Sequence, residues 1–218
     1  MLLAPGKITS IERDRRRPWR HWVQVGVEEP VPLDEKVVLA FDLHVGMDLD
    51  PELVECLSSR EMVIRAEREA LRLAARQAYS SGEMEALLRR KGYGEEAIRE
   101  ALRKLESLGY LDDRLYARLW VEGRMHARPM GRWRLKQELL QKGIDPDLVS
   151  KTLQEVLGDS DETEVALHLA RSWWERHPPA SRSSRDRRQH LARLAGFLQR
   201  RGFNQSTIVE VLREVASD

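Results

Sequence analysis

Six arginines fall within 21 residues of this chain: Arg114, Arg118, Arg124, Arg128, Arg132 and Arg134. A guanidinium is a planar fork of N–H donors that meets a carboxylate or a phosphate two bonds at a time. On a helical wheel of about 100° per residue, Leu115, Tyr116, Leu119 and Gly123 lie on one side and form the expected buried stripe. Arg114, Arg118 and Met125 lie roughly opposite, with Arg124 at the flank. Like charges four residues apart slightly destabilise a helix, so a recipient outside the helix is the reading favoured for this basic face. Glu122 and the acidic stretch after Asp145 are the alternative recipients, inside the molecule. Trp133 stands between Arg132 and Arg134, where it could stack on a base or anchor an interface. Core packing is nonetheless the favoured expectation for Trp133, as it is for Trp120 and Trp174.

Reaction chemistry has no comparable support. The sequence contains no Gly-x-Gly-x-x-Gly, no Walker-type lysine loop and no His-Glu-x-x-His. His21, His44, His126, His168, His177 and His190 are scattered, without metal-ligand spacing. Asp112 and Asp113 are adjacent carboxylates that invite an acid–base reading, yet either can cap a helix, and that is the reading adopted. Cys56, beside Val54 and Leu57, is expected to be a small core residue. The expectation is a chain that is not an enzyme, with no catalytic residues, no metal and no cofactor.

The elements that must position the arginines are punctuated clearly. Asp112 or Asp113 opens a helix, Gly143 stops the next one at a left-handed position, and Asp145 with Pro146 opens a third. This three-helix unit recurs. Leu88–Leu102, Leu139–Leu153 and Leu198–Leu212 align on Gly92, Gly143 and Gly202, which are 51 and 59 residues apart. A basic residue precedes each glycine (Lys91, Lys142, Arg201) and a large apolar one follows it (Tyr93, Ile144, Phe203). Each copy closes on an aliphatic i, i+4 pair: Ile98 and Leu102, Val149 and Leu153, Ile208 and Leu212. Such a repeat implies stacked helical units with Leu88, Leu139 and Leu198 buried at equivalent places. The first copy departs in one respect: Gly94 opens its last helix where Asp145 and Asn204 offer capping side chains. That omission costs a few tenths of a kcal/mol.

The residues Gly109-Tyr110-Leu111-Asp112-Asp113, then Ala117, Val121, Arg124 and Gly131, then Glu138 to Ile144, resemble the RecX family of bacterial regulators of the RecA recombinase. The likeness covers roughly residues 65–215 and is tightest in the middle copy. It implies binding to RecA filaments on DNA, with modulation, usually inhibition, of strand exchange and ATP hydrolysis in DNA repair, recombination and the SOS response. Contact with single- or double-stranded DNA is a further implication. The competing reading is a helical-repeat protein that binds DNA directly through the arginine stripe.

The rest of the chain bounds these readings. Its 218 residues are 41% hydrophobic and 33% charged, with net charge +1. Charge is segregated: residues 28–69 hold 12 acidic and four basic side chains, residues 114–142 hold eight basic and two acidic. Residues 145–164 hold seven acidic and one basic, residues 176–201 eight basic and one acidic. Blocks of alternating sign can present a basic stripe to phosphate or to an acidic protein. The single cysteine and the lack of a long apolar run or signal sequence point to a cytoplasmic monomer with no membrane contact. Residues 1–49 are β-rich, with strands expected at Ile8–Ile11, Trp19–Val27 and Val37–Phe41 and a turn at Gly46. Arg15–Arg17 at the hairpin tip are assigned to solvation rather than to phosphate. Asp50 and Pro51 begin a long helix expected to reach Tyr79, with Ser58 and Ser59 as a point of interruption. In the last copy, helices are expected at Thr163–His177, with Leu167, Ala170 and Trp174 inward, and at 185–200. A linker at Ala180–Ser184 is the expected mobile segment. The fold expected is mainly α: a β module at 1–49, a linking helix at 50–64, and three-helix repeats at 65–111, 112–160 and 161–218.

Overall fold

The computed structural model describes residues 3–158, 162–178 and 184–217. Most of the linker proposed at Ala180–Ser184 lies outside the described residues. The chain divides into two compact units, Met1–Leu111 and Asp112–Asp218.

In the first unit, β1 (Gly6–Arg13) and β2 (Arg20–Val25) form an antiparallel hairpin whose tip carries the arginine run. Strand β3 (Val31–Asp34) pairs with β2 and the short β4 (Asp48–Leu49) with β1, giving the sheet order β3-β2-β1-β4. Ile8, Val23, Val25, Val31 and Leu33 fill its inner face. Pro32 is tolerated because β3 is an edge strand. The expected strand at Val37–Phe41 is instead helix α1 (Glu35–Ala40). Asp34 decides this: its carboxylate accepts the Lys36 N–H at 3.1 Å and so caps a helix where the apolar run alone reads as strand.

Helix α2 (Pro51–Ala74) runs through Ser58 and Ser59 without interruption and ends short of Tyr79. The Ser58 hydroxyl donates to the Val54 carbonyl at 2.7 Å, which lets serine sit in a helix interior. Cys56, expected inside, is exposed, while its neighbours Val54 and Leu57 are buried. Helix α2 has two apolar faces. Val54, Leu57 and Ile64 pack on the sheet. Val63, Ala66, Ala70 and Leu73 pack on α3 (Ser81–Arg90) and α4 (Glu95–Ser107). Ser80 and Glu83 make a reciprocal capping box at α3, whereas Gly94 gives α4 no side-chain cap, as its sequence indicates.

The second unit repeats the three-helix plan twice. One copy is α5 (Asp113–Ala127), α6 (Arg132–Gln141) and α7 (Pro146–Leu157); the other is α8 (Glu162–Arg176), α9 (Ser184–Arg200) and α10 (Gln205–Ser217). Leu88, Leu139 and Leu198 are fully buried in the three copies. Ala166 and Ala170 are buried in α8, with Leu167 and Trp174 packed partly against them. No helix among the described residues is long and apolar enough to cross a membrane.

Candidate partner-binding surface of the middle repeat

Asp112 caps α5 by accepting the Leu115 N–H at 2.9 Å. The face that α5 buries is the opposite of the one expected. Ala117 and Val121 are fully buried, whereas Leu115 and Leu119 are 53% and 58% exposed and Gly123 is open to solvent. The helix has apolar residues on two sides, and the small pair wins because alanine and valine admit close approach to α7. Tyr116 and Trp120 flank that core and are half-buried, so only Tyr116 of the expected stripe turns inward.

The flank continues outward as a built surface. The rings of Tyr116 and Trp120 stack with centroids 6.2 Å apart. Two cations cover Trp120: the Arg124 guanidinium lies 4.4 Å and the Lys142 ammonium 3.9 Å from its ring. Lys142 also donates to the Tyr116 hydroxyl at 2.9 Å. Glu138 of α6 stands between two arginines. It accepts from Arg134 at 3.2 Å and faces Arg124 at 3.0 Å without the alignment of a hydrogen bond. Trp120, Arg124, Trp133, Arg134 and Lys142 line a groove of about 470 Å³ together with Glu138 and two glutamines. Trp133, expected in the core, is 60% exposed on its wall. It follows Gly131 at the start of α6, where Leu135 and Leu139 take the inward positions.

The six arginines therefore separate into different jobs. Arg114 and Arg118 are exposed; they pair with Glu155 at 3.0 Å and Glu122 at 2.8 Å, partners that leave them open to water. Arg124 and Arg134 belong to the groove. Arg132 is a strut: its guanidinium donates to the Gly158 carbonyl at 2.8 Å, and its backbone N–H donates to Glu162 at 2.8 Å. Arg128 is exposed at the end of α5. It acts on Arg201, whose pKa is lowered first by burial and then by Arg128 and Arg176. Lys142, Gln137 and Gln141 escaped sequence reasoning. The signal that could have found the site is the i, i+4, i+8 row Tyr116, Trp120, Arg124 on α5, matched by Glu138 on α6 and Lys142 at its C-cap. Among the described residues no group of three or more histidine, cysteine, aspartate or glutamate side chains is placed to hold a metal ion.

Family comparison fits this architecture. Models of the first, second and third three-helix domains of RecX match residues 66–105, 112–153 and 160–212. The regulatory protein RecX of Trichlorobacter lovleyi is 34% identical over 145 residues, spanning 66% of this chain and 92% of its own length. That of Geobacillus kaustophilus is 29% identical over 215 residues, 96% of this chain and 77% of its own. A crystal structure of a regulatory protein RecX superposes with a TM-score of 0.72 at 22% identity, covering 96% of this chain and 99% of the other, a likeness of fold. With each of its three helical copies matched in order, the chain belongs to the RecX family of regulatory proteins.

Proposed function

We propose that the chain regulates a RecA recombinase by occupying its filaments on DNA, lowering strand exchange and ATP hydrolysis, with the α5–α6 surface as a partner face. The observation that carries the choice of face is Trp133, a large aromatic held 60% exposed beside a groove walled by Arg124, Arg134 and Lys142. Tryptophan and arginine are the residues that dominate binding energy at protein interfaces, and burying this one on a partner rewards contact. Arg114 and Arg118 extend the face, since neither ion pair removes them from solvent. The protein acts as a cytoplasmic monomer, its three repeats sharing the contact so that single substitutions weaken it modestly.

Trp133→Ala and the double variant Arg114→Glu, Arg118→Glu test the face. Each keeps wild-type helical circular dichroism and weakens inhibition of preformed filaments. If both stay folded and inhibit like wild type, the partner face lies elsewhere in the molecule.

A second reading, direct DNA binding, is favoured by Arg128, Arg176 and Arg201. None of the three has a carboxylate partner among the described residues. Arg201 donates to the Pro129 carbonyl at 3.1 Å and Arg176 to Ser172. A phosphate contact made by these arginines loses affinity steeply as salt rises. Free-DNA binding by Arg128→Gln with Arg176→Gln over a salt series separates the readings: a flatter salt dependence supports direct DNA contact, an unchanged one removes it.

A further inference from the structure

Three arginines on one face of α2, Arg65, Arg68 and Arg72, meet Arg17 of the β1–β2 hairpin tip and Arg20 of β2 across a pocket of about 440 Å³ within the first unit. Its floor is a set of carboxylates that already have their cations. Asp34, 2% exposed, is paired with Arg68 and also accepts the Lys36 N–H. Glu61 accepts the Asp34 N–H at 2.7 Å and lies 3.8 Å from Arg65. Glu69 receives both a 2.9 Å and a 2.6 Å bond from Arg72 and sits 3.0 Å from Lys91. The Arg68 guanidinium is clamped against the Trp19 ring at 3.5 Å.

What remains is positive. Arg17 and Arg20 line the same pocket with no carboxylate within ion-pair distance among the described residues; Arg20 instead lies 5.4 Å and 5.9 Å from the rings of Trp19 and Trp22. Arg65 is half exposed, and its ion pair with Glu61 is long. Five guanidiniums thus face three already engaged carboxylates, Asp34 and Glu61 buried and Glu69 partly so, and the surplus is at the mouth. Solvation of a hairpin tip explains Arg15 and Arg16, which are exposed and outside the pocket lining, but does not explain why Arg17 and Arg20 line a concave space. A charge-dense anion entering that space gains several bidentate contacts at once.

We propose that this pocket binds a small polyphosphate anion, the condensed phosphate chain of a nucleoside triphosphate or of inorganic polyphosphate. Its volume is in the range of small-molecule sites, roughly 300–1,000 Å³. A concave mouth of that size admits a compact ligand and does not track an extended backbone. Arg17 and Arg20 grip the phosphates, Arg65 supplies a third fork, and Arg68 with Asp34 and Glu61 holds the floor in shape.

The test is calorimetric titration of the full chain with inorganic tripolyphosphate, ATP, a single-stranded oligonucleotide and a glutamate-rich peptide, at about 0.15 M salt so that distant surface charges are screened. Binding of tripolyphosphate with one-to-one stoichiometry is expected, weakened by at least about tenfold, or 1.4 kcal/mol, in Arg17→Ala with Arg20→Ala. Both side chains are outside the packed core, so the fold survives; Arg65→Gln is a second variant expected to weaken binding less. ATP binding like tripolyphosphate assigns recognition to the phosphates alone, and tighter ATP binding adds a base contact. The proposal is overturned if neither polyphosphate binds, if the variants leave binding unchanged, or if only the oligonucleotide or the acidic peptide responds to them.

Discussion

The turn that ends α3 and the turn that ends α9 have the same backbone and different surroundings. Gly92 and Gly202 have φ of 84° and 83°, and each follows a fully buried leucine whose carbonyl, Leu88 or Leu198, accepts the N–H beyond the glycine at 3.3 Å. At Gly92 a Cβ would meet open space; at Gly202 it would meet Arg134 Cβ at 2.3 Å and Arg134 N at 2.8 Å. The reverse also holds, since a Cβ on Gly131 would lie 2.0 Å from the Gly202 oxygen. There the backbones cross, and the Gly131 N–H donates to the Arg201 carbonyl at 2.9 Å. The preceding cation follows the same division. Lys91 reaches Glu69 on α2, while Arg201 reaches the backbone carbonyl of Pro129. The glycine of this signature thus serves conformation alone in the first copy. In the last it also locks the two copies of the second unit together.

The largest expected effect comes from Gly131→Ala. Its φ of −69° suits any residue, so only the crossing is tested. A methyl group there must push backbone against backbone, costing about 3 kcal/mol or more, measurable by urea unfolding. Gly202→Ala meets a different and less severe overlap, Arg134 Cβ at 2.3 Å, together with strain at positive φ, and belongs in the same class. Gly92→Ala carries the strain alone and costs about 1 kcal/mol. Equal losses at Gly92 and Gly202 would erase the distinction.

A weaker effect tests the electrostatic anchoring of the first turn. Glu69 is held down at about 2, against an ordinary 4.5, mainly by its hydrogen bond to Arg72 and then by Lys91. Its contribution is therefore present above about pH 4.5 and is lost as pH falls toward 2. Glu69→Gln should cost about 1 kcal/mol or less at neutral pH, with the difference from wild type closing across that window. The smallest effect is a gain. Asn204 caps α10 by accepting the Thr207 N–H at 2.8 Å, and Gly94 has no such bond. Gly94→Asn should raise stability by a few tenths of a kcal/mol, visible as a small rise in Tm.

Local chemistry made much of this legible in the sequence. Glycine at positive φ, aspartate and serine caps, and a leucine in register are choices made by the nearest few residues, and the three copies display them. The crossing at Gly131 was not legible, because it depends on a backbone about 70 residues away and has no counterpart in the repeat period. The faces of α5 were misread for a related reason. Leu115 and Leu119 form as good a stripe as Ala117 and Val121, and only the neighbouring helices select between them. Trp133 and Cys56 were assigned to the interior on residue type, which tertiary packing overrode. The arginine cluster of the middle repeat was visible as composition. Its division into strut, groove and exposed pairs required knowing where Glu138, Glu155 and Gly158 stand.

The proposed regulation requires action on RecA filaments rather than competition for DNA. The most direct measurement is RecA ATP hydrolysis on single-stranded DNA, titrated with this protein across a salt series beside its own binding to the same DNA. Hydrolysis should fall with added protein and should go on falling at salt concentrations where free-DNA binding has been lost, undiminished by excess DNA. Inhibition that disappears in step with free-DNA binding, and that excess DNA titrates away, would mean that the protein competes for DNA and does not act on the filament.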